Sequence, residues 1–135
     1  MRALMPLLVI ATAAWASPTP AQPVTCADPL KPMLRAELLF GRNIGNRLGV
    51  SERQWRRFVD RELTPRFPDG LSTVDGKGQW RDGGTIVREP SKIVVVVMAD
   101  DPGAHERLAA AASAYIRQFK QKSVGVVTRP VCAAF

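Results

Sequence analysis

An α+β fold with element order βαββαβ is what this sequence predicts, on three observations. Leu34, Ala36, Leu38 and Phe40 alternate with non-core residues, as one face of a strand does. Two segments, one opening at Ser51 and one at Asp101, carry apolar residues at helical spacing behind capping residues. Between them lie two strand signals separated by Asp82-Gly83-Gly84, a tight hairpin turn.

Each element follows in turn. After the first strand, Gly41 to Gly49 holds three glycines and two asparagines and reads as a loop. Ser51-Glu52-Arg53-Gln54 is a capping box, in which the Ser hydroxyl accepts the N3 amide and Gln54 reaches back. Trp55, Phe58, Val59 and Leu63 then form one buried helical face, and Pro65 stops the helix. Phe67-Pro68-Asp69-Gly70 is turn chemistry. Leu71 to Val74 is a strand whose continuation to Arg81 is broken by Gly76 and Gly78, a pattern that predicts a bulge. Thr85 to Glu89 returns antiparallel, and Pro90 marks an irregularity. Lys92 to Met98 is apolar on both faces, which is the mark of a central strand covered on both sides.

Asp101-Pro102 is an N-cap followed by Pro at the first helical position. Ala104, Leu108, Ala111, Ala112, Tyr115 and Phe119 make the stripe of the second helix. Lys120 and Lys122 fall in its last turn, where the dipole favours cations. Val124 to Cys132 is the last strand. This order is the ferredoxin-like βαββαβ sandwich: a four-stranded antiparallel sheet with two helices on one face.

The N-terminus carries an export signal. Arg2 is a short positive region, Ala3 to Ala14 is apolar, and Ala14-Trp15-Ala16 fits the small-x-small cleavage rule. Cleavage at Pro20-Ala21 is the alternative. The expected organisation is a signal peptide over 1–16, a Pro-, Ala- and Thr-rich flexible leader over 17–32, and one domain over 33–135. The apolar stretch is short of the ~20 residues a membrane span needs, and no later stretch reaches that length, so the chain is expected not to span a membrane. Pro23 and Thr25 before Cys26 do not fit a lipobox. The expected compartment is periplasmic or extracellular.

Disulfides persist in such compartments, and Cys26 and Cys132 are the only cysteines. In the ferredoxin-like topology the last strand lies beside the first, so Cys132 should approach the chain entering the first strand, where Cys26 sits. The formal net charge is +7. Export and the lack of a basic run interleaved with aromatics argue against nucleic acid. An anionic envelope surface is a better match for any positive face. His105 is the only histidine and no CxxC is present, which excludes multi-histidine and CxxC zinc sites, and on the first turn of a helix His105 reads as a surface residue rather than a base. No metal or cofactor is expected.

From Phe40 onward the strings Phe40-Gly41-Arg42, the Ser51 to Phe58 helix start, Thr64-Pro65-Arg66-Phe67-Pro68-Asp69-Gly70-Leu71, Asp75 with Gly78-Gln79-Trp80-Arg81, Arg88-Glu89 and Ser91-Lys92 resemble the bacterial domain-of-unknown-function family numbered 3574. The resemblance implies a small, often exported protein. It brings no activity and no catalytic residues.

The candidate site is the polar hairpin. Pairing Val74–Arg81 with Thr85–Lys92 brings Asp75, Gln79, Trp80, Arg81, Arg88, Glu89 and Lys92 near one another, with Arg66 approaching their far end. Arginines beside carboxylates suit anion recognition, and Trp80 could stack a flat ligand. The competing reading is a salt-bridged structural hairpin. The leading expectation is a non-enzymatic exported module that binds a small ligand or an envelope component through Arg66, Asp75, Gln79, Trp80, Arg88 and Glu89. The alternative is a dimeric α+β-barrel enzyme acting on a small anionic or aromatic substrate, with Asp75 or Glu89 as base. A third class is a protease inhibitor or propeptide-like partner binding through its sheet, which would need an exposed edge or a protruding loop such as the Asp82–Gly84 turn. The two-sided apolar strand further predicts a homodimer through the helix-free sheet face.

Overall fold

The computed structural model describes residues 24–135. The signal peptide, both cleavage sites and residues 17–23 of the leader lie outside the described residues. Strand β1 (Lys31–Gly41) is the spine. It pairs antiparallel with β5 (Thr85–Met98) on one side and β6 (Gly125–Ala133) on the other, and β4 (Ser72–Asp82) flanks β5. The strand order β4-β5-β1-β6, with two helices crossing over, is the ferredoxin-like arrangement that the element order predicts. A two-stranded ribbon, β2 (Asn43–Ile44) and β3 (Arg47–Leu48), occupies the segment expected to be only loop.

Alternation along β1 decides which residues form the core. Leu34, Ala36, Leu38 and Phe40 point to the helices together with their neighbours Val94, Val96 and Met98, and all are buried. Helix α1 (Glu52–Phe58) starts in the predicted capping box. The Ser51 hydroxyl accepts from the Gln54 amide at 3.3 Å, and the Ser51 amide donates to Gln54 Oε1 at 2.9 Å. The helix then widens into a π-helical turn over Val59–Leu63, where the Thr64 amide reaches the Val59 carbonyl at 2.9 Å. Leu63, at the end of this turn, and Phe67 beyond it are both buried in the core.

Helix α2 (Pro102–Phe119) packs Ala104, Leu108, Ala111, Tyr115 and Phe119 against the same sheet face. Phe40, Trp55, Phe58, Tyr115 and Phe119 form one aromatic cluster. Tyr115 stands at its centre, with ring centroids 4.7 Å from Phe40, 5.0 Å from Phe58 and 4.7 Å from Phe119.

Three local expectations change. The register of β4 on β5 runs unbroken from Ser72–Val95 to Asp82–Thr85, so Gly76 and Gly78 make no bulge and Pro90 makes no break. Pro90 is tolerated because β1 ends its pairing at Gly41–Ser91, which leaves no partner that would need a Pro90 amide. Asp101 precedes α2 as expected, but its carboxylate takes Arg107, at 3.0 and 3.3 Å, in place of a helix amide. Lys120 is the left-handed cap that ends α2, at φ 53°, and not part of its last turn.

Cys26 and Cys132 form the expected disulfide. It ties the chain entering β1 to the end of β6, across a sequence separation of 106 residues. Constraining so long a loop in the unfolded chain is worth about 4–5 kcal/mol on the entropy model. Replacing both cysteines, Cys26→Ser with Cys132→Ser, should therefore keep the fold but lower urea stability by about 3–5 kcal/mol. A loss below about 1 kcal/mol would show that the unfolded chain is already restrained.

Candidate functional site

The same alternation that built the core divides the predicted hairpin cluster in two. On β4 and β5, Asp75, Gln79, Arg81, Arg88 and Lys92 share the side of the sheet that carries the helices, while Gly76, Gly78, Trp80, Glu89 and Ser91 share the helix-free side. Residues adjacent in sequence cannot meet on one face of a flat ladder. Arg66 joins neither group. It donates to the Glu62 carbonyl at 2.5 Å and to its carboxylate at 2.8 Å, and it lines a separate recess of about 350 Å³ with Met98, Asp101 and Arg107. That recess lies at the opposite end of the sheet, because β5 runs from Glu89 near the hairpin to Met98 beside it.

On the helix side, four charges form a continuous chain. The buried Arg42 donates to the Val50 carbonyl from Nε at 2.9 Å and from Nη2 at 2.7 Å, and from Nη1 to Glu52 at 2.6 Å. The other oxygen of Glu52 accepts from Lys92 at 2.9 Å, and Lys92 also pairs with Asp75. The hydrogen bond from Lys92 is the chief cause that holds the Asp75 carboxyl below its usual range, and the same bond lowers Glu52 against a smaller opposing effect of burial. For Lys92, burial opposes the charge, yet its bonds to Asp75 and Glu52 prevail and raise its pKa. This chain links the start of α1 to β4 and β5, and every member has a partner. It fastens the hairpin to the helix layer and leaves Asp75 a weak base.

On the helix-free side the picture differs. The hairpin, the β2–β3 ribbon and the segment after α2 surround a cavity of about 550 Å³. Glu89 stands in its wall. Its Oε1 accepts from the Trp80 indole N–H at 2.7 Å, and its Oε2 accepts from the Asn43 amide at 3.0 Å. Both donors are neutral, and no cation pairs with Glu89 among the described residues. Gly41 makes this placement possible. A Cβ there would lie 2.5–2.8 Å from the Glu89 carboxylate, so only glycine lets the acid lie against β1. The Gly41 carbonyl accepts from the Tyr115 hydroxyl at 2.8 Å, which couples the cavity floor to the aromatic core. Burial raises the Tyr115 pKa well above its ordinary value and keeps that donor protonated.

Lysines complete the rim. Lys122 Nζ sits 5.6 Å above the Trp80 ring and binds Asp82 at 2.6 Å, and Lys120 also lines the cavity. A ligand stacking on that face of Trp80 would have to displace Lys122. Gln121 holds the segment in place by donating to the Asn43 carbonyl at 2.8 Å.

Of the six predicted residues, Trp80 and Glu89 line this cavity from the helix-free face and Gln79 borders it from a position whose side chain faces the helix side; Arg66, Asp75 and Arg88 do not line it. The sequence reading missed Asn43, Ser91, Lys120, Gln121 and Lys122. Three of these sit at the end of α2, where the cations were read only as helix-dipole partners, and nothing local shows that the segment folds over the hairpin.

A family model described as a protein of unknown function, DUF3574, matches residues 35–135. The chain belongs to that family. No curated protein matches it. Among solved structures, a phage SAM lyase in its apo state is 18% identical with a TM-score of 0.60, and the match covers 82% of this chain and 92% of the lyase. A phage SAM lyase in complex with S-methyl-5'-thioadenosine gives 16% and 0.59, over 76% of this chain and 90% of that one. CutA from Synechococcus elongatus is 15% identical at a TM-score of 0.52, covering 78% of this chain and 86% of that one. At such identities the likeness shows a shared fold and nothing of chemistry.

The ion chain on the helix side sets a pH dependence. Glu52 and Asp75 have pKa values lowered from 4.5 and 3.8, so their contribution is complete above those values and is lost as pH falls through the depressed ones. Lys92 is raised from 10.5, so its contribution is complete below that value and is lost as pH climbs through the raised one. Lys92→Met should cost about 1 kcal/mol near neutral pH. In urea titrations that gap should close in acid below the carboxylate range and in base beyond the ordinary lysine value. A gap that stays constant across pH would mean that Lys92 acts through packing.

Proposed function

We propose that this chain is an exported small-ligand-binding module and that its ligand occupies the cavity walled by Trp80 and Glu89. The observation carrying this reading is the carboxylate of Glu89, which is fixed by two neutral donors, lacks a cation, and faces a cavity of about 550 Å³. A fold that needed only to hold its hairpin together would pair that charge, as it does for Asp75 and Glu52 on the other side. The volume falls in the range of small-molecule sites. Export has its support in the Cys26–Cys132 bridge and in the signal-like N-terminus, since such bridges persist in oxidising compartments.

Asp75 and Arg66 are given structural roles in this reading, at the hairpin anchor and the end of the first helical segment. The enzymatic alternative then rests on Glu89 alone as base, because Lys92 holds Asp75 in its ionised, weakly basic form.

The test is the indole N–H resonance of Trp80 in a 15N-labelled sample, read against a panel of small metabolites. S-methyl-5'-thioadenosine belongs in that panel, since a phage SAM lyase of this fold is described in complex with it. A binding compound should shift the Trp80 signal, and Gly41→Ala should abolish the shift while the fold survives, because the added methyl displaces only the flexible end of Glu89. Binding that leaves the Trp80 signal still would move the site elsewhere.

The partner in this reading is a second copy, joined through the helix-free face. That face exposes Leu39, Val74 and Val127 at 42, 51 and 53%, beside half-buried Ile93, Val95 and Val97. It also carries the Arg35–Glu37 pair and, opposite Arg35, Arg129, so a two-fold axis can set Glu37 of each copy against arginine of the other. A second sheet laid there would roof the cavity. Light scattering should give a dimer for the mature chain and a folded monomer for Val127→Asp; a monomeric wild type would overturn this part.

A further inference from the structure

Resting on that reading, we infer that the ligand of this cavity is a hydroxylated ring bearing an anionic group, of the sugar phosphate or sugar acid class. Two features of the lining select it. Glu89 spends one acceptor site of each oxygen on Trp80 and Asn43, so both oxygens keep capacity for further donors. The geometry suits two donors side by side, as neighbouring hydroxyls of a sugar supply. A purely cationic group is a poorer occupant, because Lys122 and Asp82 already pair and Lys120 stands on the same wall as Glu89.

The lysines supply the other half. Lys122 is engaged by Asp82, whereas Lys120 has no ion pair among the described residues. Lys120 is held by backbone geometry, since its own amide donates to the Ile116 carbonyl as the left-handed cap of α2. An anion alone would meet these lysines but be repelled by Glu89, and a neutral sugar alone would meet Glu89 but forgo the lysines. Only a ligand that joins the two satisfies the whole wall. Glycines 41, 76, 78 and 125 also line the cavity; the space over Gly41 and Gly76 is taken by Glu89 and Ser91, whose polar atoms thereby lie close against the strands.

Titration calorimetry with ribose 5-phosphate, glucuronate, ribose and inorganic phosphate separates these cases, and the Trp80 resonance places each event in the cavity. At least one of ribose 5-phosphate and glucuronate should bind 10-fold or more tightly than ribose or phosphate, and which of the two does so tells a phosphate source from a carboxylate one. Glu89→Gln keeps an acceptor for Trp80 but sets an amide against the Asn43 N–H. It should reduce the preferred ligand to the affinity of its anion alone, while Lys120→Ala should remove the advantage over neutral ribose. The inference is overturned if the joined ligands bind no better than their halves, or if Glu89→Gln leaves them unchanged. If other compounds move Trp80 while these do not, the ligand class is wrong and the cavity reading stands. If no compound in either panel moves Trp80, both fall.

Discussion

Strand β1 is hydrogen-bonded on both sides, and its two-residue alternation is the constraint on which the rest depends. One set of its side chains, Leu34 to Phe40, meets the helices and fills the core. The other set, from Met33 to Gly41, is turned to the open face, where the cavity forms. A one-residue slip against β5 would exchange the two sets and lose both at once. The register is held by Phe40, which packs on Tyr115, and by Tyr115 itself, whose hydroxyl reaches the carbonyl of the next residue, Gly41. Core and cavity are thus two sides of one strand end.

Charge is handled differently on those two sides. Toward the helices, each carboxylate of the Arg42–Glu52–Lys92–Asp75 chain has a cation, and each of the two buried cations has carboxylate or carbonyl oxygens. Leaving such a cation unpaired would cost several kcal/mol, which is why Arg42 and Lys92 can be buried there at all. Toward the open face, Glu89 has only an indole and an amide as hydrogen-bond partners among the described residues. That asymmetry within one hairpin separates a structural anchor from a place where a ligand has something left to satisfy.

Much of the fold was legible. Period-two alternation located β1, helical spacing and a capping box located α1, and the two-sided apolar run identified β5 as central. The cysteines agreed with the topology because the ferredoxin-like order puts the last strand beside the first. Local signals misled at Gly76, Gly78 and Pro90. Each disfavours a regular strand in isolation, but a hairpin paired over its whole length outweighs the local preference, and Pro90 falls just beyond the β1 ladder.

The sequence by itself determined the order of the two helices and the four strands of the main sheet, the capped helix start, the disulfide partners and two residues of the cavity wall, Trp80 and Glu89, because each rests on neighbours a few positions apart or on topology alone. Which of Asp75, Gln79, Trp80, Arg88 and Glu89 stand together was decided only by the tertiary structure. The pleat sends adjacent residues to opposite faces, and the segment after α2 comes from some 40 residues away to bring Lys122 over Trp80. Gly41 shows the same division: its residue type can be read directly, but the reason for it is a carboxylate 48 residues later in the chain.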